Sequence, residues 1–233
     1  MPDTDNSEIG NSGIGAAELG EVLLAARDAG FLGPGPVDRH LLHAQGFVEV
    51  ARAQASTSAA HRILDLGSGG GLPGLVVADR WPEATLVLLE ANQRRAQFLE
   101  RAVITCRLQD RVTVVQERAE IGGRDAAYRG TFDGVVVRSF GTPAVVAECA
   151  APFLHVGGWL IVSEPPGALA DEPLAEVPLE DSGRWPREKL AQFGLEPVEF
   201  VRNEFGYQIL RQHEVCQDKF PRRNGLPSKR PLF

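Results

Sequence analysis

Residues 65–74 read DLGSGGGLPG and directly follow the apolar pair Ile63-Leu64. After a buried strand, glycines let the backbone turn sharply and approach a ligand, and the amides that open the next helix face that ligand. Two cofactor patterns overlap here. The dinucleotide pattern G-x-G-x-x-G uses Gly69, Gly71 and Gly74, and the acidic, glycine-spaced loop of S-adenosylmethionine (SAM) enzymes uses Asp65, Gly67, Gly69 and Gly71. The stretch therefore predicts a strand, a ligand-binding loop and a helix.

Asp65 favours SAM over a dinucleotide. A carboxylate at a strand end can pair with the cationic amino group of SAM, whereas it would lie unfavourably close to a pyrophosphate. Glu90, about 20 residues further on, suits the hydroxyls of an adenosine ribose in either cofactor. We therefore expect the amino-acid end of SAM to contact the loop residues Asp65, Gly67, Ser68, Gly69 and Gly71.

The rest of the chain alternates β-rich runs with stretches long enough for crossover helices, which indicates a parallel α/β sheet. The runs are RILDL, TLVLLE, VTVVQ, FDGVVV and WLIVSE. LEPVEFV and YQILRQHEV follow, and the short RNEFG between them allows a hairpin but no parallel crossover. Dinucleotide dehydrogenases usually continue with a sixth parallel strand instead. We expect the Rossmann-like class I methyltransferase fold, with a mostly parallel seven-stranded sheet and a C-terminal antiparallel hairpin.

Composition sets the domain organisation. Residues 1–15 are polar and predicted to be disordered, residues 16–57 contain two amphipathic stretches that predict a helical extension, and residues 58–233 form the methyltransferase domain. No apolar run approaches the roughly 20 residues that cross a bilayer, and no signal peptide is visible, so we expect a cytoplasmic protein without a membrane partner. Widely spaced cysteines predict reduced, buried thiols and no metal site: Cys106, Cys149 and Cys216.

Charge is unevenly distributed along the chain. The formal net charge of −7 argues at first against nucleic acid, because phosphate binding needs local positive charge. The segment 219–233, KFPRRNGLPSKRPLF, is however free of acid and contains Lys219, Arg222, Arg223, Lys229 and Arg230. An acidic body with a basic tail is compatible with an RNA substrate.

Taken in order, DLGSGGGLPG, LLEANQRRAQFLERA, QERAE, FDGVVVRSFG, FLHVGGWLIVSEPPG and FPRRNGLPSKRPL resemble the glucose-inhibited division protein B family (RsmG) over about residues 37–233. Those proteins are SAM-dependent methyltransferases that modify guanine N7 in 16S ribosomal RNA. The resemblance implies cofactor roles for Gly67, Gly69, Leu72, Glu90, Ala119 and Glu120. It implies substrate-facing roles for Arg94, Arg95, Arg118, Arg138 and Arg222, and we add the neighbouring Arg223. The implied partner is ribosomal RNA or the small subunit, bound by a monomer.

Two positions depart from the family pattern. Where the family usually has lysine and then glycine after the fifth strand, this chain has Glu164, Pro165 and Pro166, which replaces a cation near the RNA with an anion. Arg94 stands in place of a family lysine and remains cationic, although it is bulkier. The first departure bears on the substrate more than on the cofactor.

The loop after the fourth strand, Arg138-Ser139-Phe140-Gly141, bears on the chemistry. Guanine N7 is an unprotonated lone pair, so its methylation needs alignment and no base. The loop contains neither the N/D-P-P-aromatic tetrapeptide of adenine-N6 enzymes nor the thiol of cytosine-C5 enzymes. Arg138 is the candidate catalytic residue, through guanine O6 or a phosphate, and also a candidate cofactor contact. Phe140 either stacks on a base or belongs to the core.

The leading hypothesis is therefore an RNA guanine-N7 methyltransferase. A diverged methyltransferase acting on another RNA site or a small molecule, and a non-catalytic SAM-binding or ribosome-associated protein, remain as alternatives. A NAD dehydrogenase is disfavoured by Asp65 and by the terminal hairpin.

Overall fold

The computed structural model of the protein describes residues 16–55, 61–165 and 183–233. The interpretation of residues 1–15 as disordered, and the boundary between residues 57 and 58, lie outside these ranges. The helices are α1 (Ala16–Asp28), α2 (Val37–Gln54), α3 (Gly74–Arg80), α4 (Gln93–Thr105), α5 (Ala119–Gly122), α6 (Pro143–Ala150), α7 (Arg187–Leu190) and α8 (Leu226–Lys229). The strands are β1 (Arg62–Leu66), β2 (Thr85–Leu89), β3 (Val112–Val115), β4 (Phe132–Val137), β5 (Leu154–Glu164), β6 (Leu195–Arg202) and β7 (Gly206–Gln212).

The described strands form one seven-stranded sheet in the order β3-β2-β1-β4-β5-β7-β6. The first five strands pair in parallel, and β7 pairs antiparallel with both β5 and β6. This arrangement confirms the class I methyltransferase fold, including the terminal hairpin. Strand β5 begins earlier than the run WLIVSE, because Leu154 already pairs with Phe132; the register then shifts, and Gly134 pairs with Trp159.

Residues of the central strands alternate between two hydrophobic layers, as expected for a sheet that is covered on both faces. Ile63 and Val136 pack in the layer that contains α1 to α4, whereas Leu64 and Val135 pack in the layer that contains α6. All four side chains are fully buried. Burial of each side chain stabilises the fold by about 1.5–3 kcal/mol. A shift of one residue would turn these side chains to the opposite face, so the alternation fixes the register of the sheet.

Helix α2 is part of this core. Phe47 is fully buried and meets the ring of Tyr207 from β7 at 5.0 Å between centroids. The Tyr207 hydroxyl donates a hydrogen bond to the carbonyl of His43 at 2.8 Å. Gly46 permits this approach, since a Cβ there would lie 2.1 Å from the Tyr207 oxygen. The N-terminal extension is thereby bound to the last strand of the sheet.

The C-terminal segment is bound to the opposite layer. Arg129 donates to the carbonyls of Phe220 at 2.8 Å and Cys216 at 2.9 Å. All three cysteines are buried and free. Within the described ranges, no helix is long and apolar enough to span a membrane, and no group of three or more His, Cys, Asp or Glu residues could hold a metal ion.

Candidate cofactor and substrate site

The glycine loop lies at the carboxyl ends of β1 and β2. Strand β1 pairs with β2 on one side and with β4 on the other, so the chain reverses its strand order here, and open α/β sheets bind ligands at such a point. Gly67, Gly69 and Gly71 all have positive φ, at 76°, 57° and 96°. A Cβ at Gly67 would in addition lie 2.5 Å from the Phe140 ring. The loop conformation therefore requires glycine at these positions.

Asp65 is completely buried beneath this loop. Its Oδ2 accepts a hydrogen bond from the amide of Gly74 at 2.9 Å, while its Oδ1 is buried without a partner. Burial raises the pKa of Asp65 to about 7, and the hydrogen bond from the Gly74 amide and the charge of Arg138 oppose that rise. A buried, unpaired carboxylate oxygen is costly, so a cationic donor at this position is the ligand it would favour. The site thus fits the amino group of SAM.

Ser68 and Leu72 stabilise the conformation of the glycine loop. The Ser68 hydroxyl donates to the carbonyl of Asp65 at 3.0 Å, and Leu72 is buried in the core beneath the loop. Both side chains face the protein, so any cofactor contact from Ser68 and Leu72 would come from the backbone.

Glu90 connects the loop to the end of β2. Its Oε2 accepts from the amide of Gly69 at 2.9 Å, and its Oε1 accepts from the amide of Asn92 at 2.8 Å. Each carboxylate oxygen has a second lone pair, so the residue can still accept from a hydroxyl. Glu90 therefore combines a structural role with the position expected of a ribose-binding acid.

Arg138 and Phe140 lie next to one another at the end of β4. The Arg138 guanidinium donates to His40 of α2, through Nη1 to the carbonyl at 3.4 Å and through Nη2 to the ring Nδ1. Desolvation lowers the pKa of Arg138, and the carboxylate of Asp65 opposes that effect. Phe140 is half-buried, packs against the core and covers Gly67. Arg138 and Asp65 are thus electrostatically coupled across the two strand ends.

The edge after β3 is bounded by α5 and by the C-terminal tail. Ala119 and Glu120 are buried at the start of α5, and Arg118 precedes it with a half-exposed side chain. The Glu120 carboxylate accepts from the amide of Gly225 at 2.8 Å and lies 3.5 Å from Arg118 Nη2. The side chain of Glu120 therefore anchors the tail, which leaves the backbone of Ala119 and Glu120 as the candidate adenine contact.

The predicted substrate-facing arginines fall into two groups. Arg94, Arg118 and Arg223 have solvent-exposed or half-exposed side chains, and Arg95 lies over the ring of Phe31 at 5.8 Å. Arg222 differs because its Nε and Nη2 both donate to the carboxylate of Glu148, which is buried in α6. The structure thus gives Arg222 a structural partner that the sequence analysis did not identify.

Glu164, the residue that departs from the family pattern, is not presented to solvent as an anion. Only 8% of it is exposed. Its carboxylate accepts from Trp185 Nε1 at 2.6 Å and forms an ion pair with Arg184 Nε at 2.7 Å. The Glu164 carboxylate is therefore an anion paired within the protein, with Arg184 from the following segment as its cation.

Sequence reasoning missed His40, Glu148 and the segment Phe31-Leu32. The carbonyl of Phe31 and the side chain of Leu32 lie over the glycine loop, so that a Cβ at Gly70 would meet them at 3.0 and 2.8 Å. Only Glu148 had a recognisable signal, since a carboxylate within the apolar helix PAVVAECA needs a buried partner.

Comparison with known proteins identifies the family. The family model described as GidB, rRNA small subunit methyltransferase G, matches residues 36–164. A relative of that name from Moorella thermoacetica is 34% identical over 173 residues, which is 74% of this chain and 70% of the relative. Another from Leuconostoc citreum is 30% identical over 196 residues, or 80% and 73% of the two chains.

Solved structures agree in fold. An O-methyltransferase from Bacillus cereus in complex with SAH has a TM-score of 0.59 at 17% identity, covering 84% of this chain and 90% of that one. An O-methyltransferase from Klebsiella pneumoniae has a TM-score of 0.57 at 18% identity, covering 86% and 91%. These solved structures share their fold with this chain, and the sequence matches identify its family. The chain therefore belongs to the GidB family, the rRNA small subunit methyltransferase G proteins.

Proposed function

We propose that the protein transfers the methyl group of SAM to guanine N7 in 16S ribosomal RNA of the small subunit. The family match supports the reaction and the substrate class. The observation that carries the cofactor assignment is the unpartnered, buried Oδ1 of Asp65 beneath a loop of positive-φ glycines. A ribosomal substrate implies a cytoplasmic reaction, and a monomer suffices because the described residues of one chain supply the candidate groups.

The proposed binding roles follow the strand ends. Asp65 would accept from the amino group of SAM, Glu90 from its ribose hydroxyls, and the backbone of Ala119 and Glu120 would border its adenine. Bound SAM supplies an electrophilic methyl group on a sulfonium. The glycine loop can approach the cofactor closely because Gly69, with a φ of 57°, has no Cβ between its backbone and the ligand.

The end of β4 suits a nucleophile that already carries a lone pair. Guanine N7 requires no deprotonation, so a site without a general base is sufficient. Arg138 can donate to guanine O6, and Phe140 can bound the plane of the base. Cys149 is no alternative nucleophile, because it is buried within α6 and burial raises the pKa of its thiol. Proximity and orientation would then supply most of the rate enhancement.

The basic side chains would hold the RNA backbone. Arg94 and Arg95 open α4 next to the glycine loop, and Arg118 and Arg223 lie near the α5 edge, so cations flank the proposed site on both sides. Such contacts give affinity without sequence preference. Specificity would have to come from the residues at the end of β4.

Nucleoside mass spectrometry of 16S rRNA tests this proposal. A strain that lacks the protein should lose one 7-methylguanosine, and the wild-type gene should restore it. Arg138→Ala should restore little of it, although the purified variant should still bind SAM, more weakly than the wild type because loss of the Arg138 charge raises the pKa of Asp65 further. Loss of a different methylated nucleoside would favour a diverged methyltransferase, and an unaltered set of nucleosides would favour a non-catalytic role.

A further inference from the structure

The guanidinium of Arg138 is held by a residue far away in the sequence. Arg138 is half-buried, and the residue after it, Ser139, has a φ of 57°. Among the described residues, its hydrogen-bond acceptors both belong to His40, the carbonyl oxygen and the ring Nδ1. An arginine side chain has about 2 kcal/mol of rotamer entropy to lose, so two bonds to one rigid residue restrict it strongly. The other N–H groups of the guanidinium remain available.

The two ring contacts of His40 determine its tautomer. Nε2 lies 3.0 Å from the carbonyl of Gly33, which can only accept, so Nε2 carries the proton. Nδ1 is then unprotonated and accepts from Arg138. One imidazole ring thereby ties Arg138 to the connection between α1 and α2.

That connection also covers the cofactor loop. Phe31 and Leu32 precede Gly33 and lie against Gly70. Phe31 is fixed in turn by an edge-on contact with Phe98 of α4, with 5.5 Å between ring centroids. The ring of His40 therefore connects the segment that lies over the glycine loop, Phe31-Leu32, to the Arg138 guanidinium at the end of β4.

We propose that His40 is a positioning residue, which orients the Arg138 guanidinium for methyl transfer through its Nδ1. The proposal rests on the methyltransferase function proposed above. It gives α2 a role in the site, which neither the glycine loop nor the strand motifs indicate. His40 itself contacts neither cofactor nor substrate in this role.

Two amide substitutions separate the two ring contacts. The side-chain amide of His40→Asn superimposes on Nδ1 and keeps an acceptor for Arg138, but it loses the bond to Gly33. The amide of His40→Gln reaches the position of Nε2 and keeps a donor for Gly33, but it loses the acceptor. His40→Asn loses a neutral hydrogen bond and His40→Gln loses one from a charged guanidinium, so the melting temperature of His40→Gln should be no higher than that of His40→Asn.

The expected kinetic result is asymmetric. His40→Gln should lower kcat by about tenfold to a hundredfold, the range for a misplaced catalytic group, with the KM for RNA and the affinity for SAM within about threefold of wild type. His40→Asn should keep most of kcat. In an Arg138→Ala background, His40→Gln should have no further effect on kcat. Equal kcat losses in His40→Asn and His40→Gln would overturn the proposal.

A measurement without turnover keeps this test separate from the proposed function. The ¹⁵N relaxation of the Arg138 Nε–H should report a rigid guanidinium in the wild type and His40→Asn, and a mobile one in His40→Gln. Equal mobility in all three would refute the positioning role. Absence of methyl transfer by the wild type would instead refute the proposed function, while the relaxation data still decide the role of His40.

Discussion

Replacement of Asp65 by asparagine tests the cofactor assignment through its pH dependence. The pKa of Asp65 is raised to about 7, so at pH 6 most of this carboxyl is protonated in the folded protein without cofactor. The amino group of SAM needs the carboxylate. Between pH 6 and 7 the ionised fraction rises from about 9% to about 50%, so SAM affinity should rise about fivefold, which corresponds to about 1 kcal/mol.

The Asp65 carboxyl also makes folding stability depend on pH, with the opposite sign: a rise in pH strengthens SAM binding but lowers stability. Because its folded-state pKa lies above the unfolded value of 3.8, the folded protein retains a proton that the unfolded chain has released. This contribution is fully present below about pH 4 and is lost as the pH rises through about 7. The cofactor-free protein should therefore lose about 1 kcal/mol from Asp65 between pH 6 and 7. Asp65→Asn should remove both pH dependences.

Isothermal titration calorimetry at pH 6.0, 6.5 and 7.0 measures the first effect, and denaturant unfolding measures the second. Over this range the α-amino group of SAM, with a pKa of about 7.7–8.0, stays mostly protonated. Asp65→Asn should bind SAM about 1–3 kcal/mol more weakly at pH 7, the range for losing a hydrogen bond to a charged group. If the wild type and Asp65→Asn show parallel affinity profiles, Asp65 does not pair with the cofactor and its role is structural.

Three further outcomes are expected. Arg222→Ala removes the guanidinium partner of the buried Glu148 carboxylate and leaves only the amide of residue 222 among its described donors, so it should destabilise the fold by about 2–4 kcal/mol in denaturant unfolding, whereas the exposed Arg223→Ala should not; equal stability of both variants would contradict this. Gly67→Ala should abolish SAM binding in calorimetry because its Cβ meets Phe140, while Gly130→Ala, with a similar φ and open space, should bind normally and serves as the control for backbone strain. Neutralising the exposed tail cations should flatten the salt dependence of RNA binding by up to about 4 units of slope at unchanged SAM affinity, and a retained slope would exclude these residues: Lys219, Arg223, Lys229 and Arg230.

Local patterns predicted the sheet well because strand identity depends on neighbouring residues. RILDL and FDGVVV match β1 and β4 residue for residue, since their alternating side chains enter two separate cores. The beginning of β5 was missed because its neighbouring residues give a weak strand pattern. The exposed Val156 is followed by Gly157 and Gly158, which interrupt the β-rich pattern, although the backbone at Leu154 already pairs with β4.

The glycine loop was also predictable, because its positive φ angles require particular residues at fixed spacing. The partners of the charged side chains were not. Arg138 lies 98 residues from His40, and Arg222 lies 74 residues from Glu148. Spacing along the chain contains no information about such pairs, which the packing of α2 and α6 on the sheet creates. The sequence therefore indicated which residues are present at the site but not what holds them.

Arg222 shows how this limit affects the interpretation of an RNA-binding role. Its Nε and Nη2 are bonded to Glu148, and Nη2 also donates to the carbonyl of Arg230 at 2.8 Å. Only Nη1 is left for a phosphate among the described contacts. An Arg222 variant would therefore weaken the tail fold and the RNA contact together, and its RNA affinity would measure both. Arg223 is exposed and adjacent, so its substitution measures the electrostatic contribution to RNA affinity without a change in the tail fold. If Arg223→Ala lowers RNA affinity at constant melting temperature, the tail contacts the substrate directly, and the effect of Arg222→Ala beyond that value measures the structural bond.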